Sequence, residues 1–74
     1  MFTTTVRQIS LTVNGAPAEA HAGDTVRSLL EQLSLNPAKV AVERNRAIVP
    51  RSAYAETALA EGDEIEIVTF VGGG

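Results

Sequence analysis

Residues 61–74 read EGDEIEIVTFVGGG, and this stretch decides the fold. Glu61-Gly62-Asp63 is a turn: glycine supplies positive φ without steric cost, and aspartate bonds nearby backbone. From Glu64 to Val71 the side chains alternate, with Ile65 and Ile67 on one face and Glu64 and Glu66 on the other. A period of two marks a strand with one buried face. This is the most apolar strand of the chain, so it belongs at the centre of a sheet. Gly72-Gly73-Gly74 follow it, and glycine loses the most entropy on ordering, so a flexible tail is expected there.

Its neighbour is found at the other end of the chain. From Arg7 to Val13 the same alternation recurs, with Ile9, Leu11 and Val13 facing one way. Asn14-Gly15 then marks a tight hairpin, because both residues tolerate positive φ. The return strand, Ala16 to Ala22, carries Pro17 and suits a sheet edge. That leaves the first strand free to pair with the last. Between them, Asp24 or Thr25 caps a helix. Val26, Leu29, Leu30 and Leu33 form its apolar face, and Asn36-Pro37 ends it. Val40–Arg44 and Ala47–Val49 read as a second hairpin around Asn45-Arg46. The alanine-rich run from Ser52 to Leu59 predicts a turn or two of helix. The expected fold is α+β: a β-grasp roll with a mixed five-stranded sheet packed on one main helix. It is one domain over residues 1–74, with a loose lead-in at 1–6 and a flexible tail at 72–74.

Composition removes several function classes. The chain has 74 residues and no cysteine, which excludes disulfides, zinc–cysteine sites and a thiolate nucleophile. A net charge of −3 and an aromatic share of 4% argue against nucleic-acid binding. No apolar run reaches the ~20 residues of a membrane span, and the start lacks a signal-peptide layout, so a cytoplasmic protein is expected. His21, on an edge strand without a partner ligand, reads as a surface residue rather than a general base or metal ligand. Glu61, Asp63, Glu64 and Glu66 read as a solvated turn and strand face. Arg44, Arg46 and Arg51 read as solvated or docking residues. No bound metal or cofactor is expected.

The tail carries the chemistry. A run of glycines suits a frayed end, but it also suits a thread without side chains that delivers a carboxylate into another protein's active site. With an ordinary pKa near 3.5 that carboxylate is an anion at neutral pH and a poor acyl donor. It would need activation, for instance as a mixed anhydride with AMP.

Nearly the whole chain resembles the ThiS family, the ubiquitin-like sulfur carriers of thiamin thiazole biosynthesis. The resemblance rests on LTVNG, AGDTVRSLLEQL, VAVERNRAIVPRSAY and LAEGDEIEIVTFVGGG, with Ile48-Val49-Pro50-Arg51 and the terminal Gly-Gly as the specific parts. Three terminal glycines stand where a pair is usual, and Tyr54 stands where many members carry tryptophan. The resemblance implies a carrier, not an enzyme. An E1-like adenylyltransferase of the ThiF type would activate the carboxylate of Gly74 with ATP and magnesium. A persulfide from a sulfur donor enzyme would convert it to a thiocarboxylate, and a ThiG-type thiazole synthase would consume the sulfur. Gly73 and Gly72 would provide passage and reach. A carrier without cysteine has no persulfide site of its own, which leaves the terminal carboxyl. The molybdopterin synthase small subunit and a ubiquitin-like protein modifier are the alternatives.

Continuing the alternation past Ile67 places Val68 and Phe70 with the glutamates, on the face away from the helix. An apolar pair there is expected to dock partner enzymes beside the tail, with the carboxylates as a polar rim. A bulge that shifts the register and buries Phe70 is the alternative.

Overall fold

A computed structural model describes residues 7–70 of the chain. The lead-in at 1–6 and the tail residues Gly72, Gly73 and Gly74 lie outside the described residues. The elements are β1 (Gln8–Val13), β2 (Ala16–His21), α1 (Val26–Gln32), β3 (Val40–Arg44), β4 (Ala47–Val49) and β5 (Glu64–Thr69). Two single-turn 3₁₀ helices, Pro37–Lys39 and Arg51–Ala53, join them.

The strand order is β2-β1-β5-β3-β4. β5 is central as expected, parallel to β1 and antiparallel to β3, and β2 with Pro17 forms an edge. Both hairpins turn on two residues with positive φ: Asn14 (52°) with Gly15 (82°), and Asn45 (53°) with Arg46 (70°). That mirror-image turn matches the right-handed twist of the flanking strands. One face of the sheet buries Ile9, Leu11, Val40, Val42, Ile65 and Ile67 in a single cluster with Val26, Leu29 and Leu30 of α1. Each such side chain contributes about 1.5–3 kcal/mol by leaving water. The architecture is a β-grasp.

Thr25, not Asp24, caps α1. Ser28 N–H donates to Thr25 Oγ1 at 3.2 Å, and Thr25 N–H donates to Ser28 Oγ at 2.7 Å. The helix is shorter than its apolar spacing suggests: it stops at Gln32, and Leu33 is 44% exposed. Ser34 takes positive φ (60°), its N–H donates to Glu31 O, and Leu35 N–H donates to Leu30 O. This closure satisfies the last carbonyls and turns Leu35, instead of Leu33, against the core. Asn36-Pro37 therefore opens the next 3₁₀ turn, where Ala38 N–H donates to Asn36 Oδ1.

The alanine-rich run also departs from expectation. Only Arg51–Ala53 is helical, and Ala58 pairs with Thr25 as an isolated bridge. Its carbonyls serve α1 instead: Val26 N–H donates to Thr57 O and Arg27 N–H to Tyr54 O, both at 3.0 Å. Those are first-turn amides that a helix cannot satisfy itself. β2 ends at His21 and β5 at Thr69, slightly short of the sequence boundaries.

Candidate functional site

β5 is clamped along its length. At its start, Asp63 is buried at 4% exposure and accepts three hydrogen bonds. Arg44 Nε donates to Oδ2 at 2.7 Å, Asn45 Nδ2 to Oδ1 at 3.0 Å, and Ala60 N–H to Oδ2 at 2.8 Å. Burial pushes the Asp63 pKa up, but Arg44, the Ala60 amide and Asn45 outweigh it and hold the carboxyl below its ordinary 3.8. Asn45 also bonds Glu64 twice, through its N–H to Glu64 O and through Oδ1 from Glu64 N–H. In mid-strand, Asn14 takes the place of a missing β1 residue: its side chain bonds both N–H and C=O of Ile67. Past the end, Phe70 N–H donates to Lys39 O at 2.9 Å. The strand thus leaves the sheet from a fixed position.

This corrects two readings of the charged residues. Asp63 is not a solvated carboxylate, and Arg44 is not a free surface arginine; together they lock the β3–β4 hairpin to β5. Arg51 donates to the carbonyls of Pro37 and Ala38, both at 3.2 Å, and so fastens a turn. His21 is exposed, 3.8 Å from Asp24. Among the described residues no group of His, Cys, Asp or Glu is arranged to hold a metal ion. No helix there is long and apolar enough to cross a membrane. Tyr54 is buried, and its hydroxyl donates to Val40 O at 3.3 Å.

The open face of the sheet is apolar beside the departure point of the tail. Val68 is 59% and Phe70 57% exposed. The register runs unbroken from Arg44↔Ile65 to Val40↔Thr69, so no bulge turns Phe70 inward. The pairings Ala41↔Val68, Glu43↔Glu66 and Glu43↔Ile48 put Ala41 and Ile48 on the same face. Among the described residues Ile48 is the most exposed of the large apolar side chains, at 79%. Sequence reasoning missed it, although alternation against buried Val49 was the available signal. Glu43, Glu64 and Glu66 border the patch. Such a surface suits protein docking.

The ThiS family model matches residues 11–74. The chain is 48% identical over 66 residues to a thiazole synthase from Paramagnetospirillum magneticum, a match spanning 89% of this chain and 20% of that protein. It therefore covers only about a fifth of that relative's length. It is 38% identical over 61 residues to the sulfur carrier protein ThiS of Escherichia coli, spanning 82% of this chain and 92% of that one. The crystal structure of the thiamine biosynthesis protein ThiS from Geobacter metallireducens superposes with a TM-score of 0.71 at 36% identity, covering 89% of this chain and 100% of that one.

Proposed function

This chain belongs to the ThiS family, and from that membership we propose that it is a sulfur carrier of thiamin biosynthesis, a protein substrate rather than a catalyst. The observation that carries the reading is a family match that runs through Gly74, on a fold whose clamped central strand leads into Gly72-Gly73-Gly74. The carboxylate of Gly74 attacks the α-phosphorus of ATP on an E1-like adenylyltransferase, and pyrophosphate leaves. The outer sulfur of a donor persulfide attacks the acyl adenylate and AMP leaves, giving an acyl disulfide. A thiol of the enzyme then attacks the other sulfur of that bond, so that the thiocarboxylate leaves and the enzyme keeps a disulfide, which a cellular dithiol reduces. The resulting thiocarboxylate gives up its sulfur for the thiazole ring. Similarity to a protein named thiazole synthase supports an enzyme of that class as the acceptor. Magnesium and ATP belong to the activating enzyme, and the cytoplasm is the compartment that supplies them.

Intact-mass spectrometry of the protein isolated from its host tests this. The expected result is a species that ends at Gly74 and is heavier by the difference between sulfur and oxygen. A mature chain that continues past Gly74, or isopeptide conjugates in place of the thiocarboxylate, would overturn it.

In this reading Val68 and Phe70, now joined by Ile48, form the apolar centre of the surface that meets the adenylyltransferase. An aromatic anchor in such a centre is worth about 2 kcal/mol, or roughly 30-fold in affinity. The double variant Val68→Ser with Phe70→Ser is expected to lose at least that much binding in calorimetry. Its melting temperature should stay within a few degrees, because both side chains are already exposed. Loss of folding with normal binding by the folded remainder would move the docking surface elsewhere.

A further inference from the structure

The sheet has an open backbone position next to the departure point of the tail. β5 runs beyond its parallel neighbour: β1 pairs with it at Thr12↔Glu64 and Val13↔Ile65, then turns away at Asn14-Gly15. The Asn14 side chain supplies the next rung, donating from Nδ2 to Ile67 O at 3.2 Å and accepting Ile67 N–H on Oδ1 at 2.8 Å. Backbone groups two residues apart on a strand point the same way. Thr69 therefore aims its N–H and C=O as Ile67 does, away from β3. Phe70 has the opposite parity, and its N–H meets Lys39 O on the β3 side. Thr69 is exposed, and neither backbone group has a hydrogen-bond partner among the described residues.

We infer that the partner enzyme that takes the tail adds an extended segment of its own at this corner, as a short strand bonded to the main chain of Thr69. The inference rests on the carrier reading above and specifies how the partner grips the carrier. The chemistry selects the occupant. An N–H and a C=O offered by one residue at a sheet edge are matched by extended backbone, not by a helix, whose own amides are spent. The Asn14 amide has the polar groups of a peptide bond and already fills the equivalent place at Ile67. Val68 and Phe70 flank the position and offer apolar contacts to alternate side chains of the incoming strand. Thr69 ends β5, so pairing there fixes the direction of the residues that follow.

Proline at position 69 removes the N–H while leaving every in-chain hydrogen bond of the described sheet in place. Thr69→Pro is expected to bind the adenylyltransferase at least about tenfold more weakly than Thr69→Ala, which keeps the N–H. Equal affinities for the two variants would overturn this inference alone. No binding by the wild-type chain would overturn the carrier reading and this inference with it. Should Thr69→Pro fail to fold, amide exchange on the wild type decides. The Thr69 amide is expected to exchange rapidly in the free carrier and at least about tenfold more slowly in the complex. An unprotected Thr69 in the complex overturns the inference. So does protection in concentrated carrier alone, which would mark a second copy of this chain as the occupant.

Discussion

Replacing Asp63 with alanine is expected to cost about 3 kcal/mol of folding stability. The substitution strands three donors at once: Arg44 Nε, Asn45 Nδ2 and the Ala60 amide. Removing one partner of a largely buried ion pair leaves the other charge uncompensated, and each abandoned donor adds its desolvation cost. A domain of this size has roughly 4–11 kcal/mol in total, so the loss is a large share of it. The melting temperature should fall by about 15 °C, read by circular dichroism. Glu66→Ala, on the exposed face of the same strand, should change it by at most a few degrees. The pH dependence has a fixed sign. Asp63 binds its proton less readily when folded, so its contribution is fully present above the unfolded pKa near 3.9 and is lost as pH falls through the lower folded value. The gap between wild type and Asp63→Asn should therefore be constant above about pH 5 and shrink below about pH 4. A gap that persists to the lowest measurable pH would show that Asp63 acts by packing and not by charge.

Asp63 also shows where sequence reading stops. Local signals carried the strands and both hairpins, because alternation and paired positive-φ residues act over a few neighbours. The central place of β5 followed from its apolar content. The burial of Asp63 did not follow: within Glu61, Asp63, Glu64 and Glu66 nothing local separates one carboxylate from the others. What separates it is Arg44 and Asn45, brought from 18–19 residues away by the pairing of β3 with β5. Gly62 with positive φ (83°) and the Asp63 N–H bond to Ala60 O turn that carboxylate inward.

The helix boundaries failed for a related reason. Leu33 fits the apolar spacing, yet Ser34 closes the helix one turn early and Leu35 fills the core in its place. Serine is not a strong closing residue, so the sequence carried no stop signal there. The run from Ser52 to Leu59 has high helix propensity but gives its carbonyls of Tyr54 and Thr57 to the first amides of α1. Tertiary pairing outweighs propensity, which amounts to only a few tenths of a kcal/mol per residue. For the candidate site, alternation alone placed Val68 and Phe70 on the open face. Ile48 joined them only once the Glu43↔Ile48 pairing set the register of β4. The unpaired backbone of Thr69 was hidden, since it depends on where β1 stops relative to β5.

Deleting Gly73 and Gly74 is expected to abolish ATP-dependent adenylation and to leave the fold intact. Among the described residues the buried core lies between Ile9 and Ile67, so the melting temperature is expected to be unchanged. The truncated chain still ends in a carboxylate, on Gly72, and the difference is one of reach. Two extended residues span about 7 Å. In-line attack requires the reacting atoms about 3–3.5 Å apart, and a misplacement of about 1 Å can already cost roughly 100-fold. A carboxylate held about 7 Å short by a docked domain should give no detectable pyrophosphate exchange with the adenylyltransferase. Gly73→Val separates passage from reach, since it keeps the length and the terminal carboxylate. Its β-branched side chain restricts the backbone and widens the thread, so exchange should again be lost. If the truncated protein is adenylated at the wild-type rate, the Gly74 carboxylate is not the reacting group and the proposed chemistry fails. If truncation blocks exchange while Gly73→Val does not, the channel that receives the tail is wider than a bare glycine thread requires, and reach alone sets the reaction.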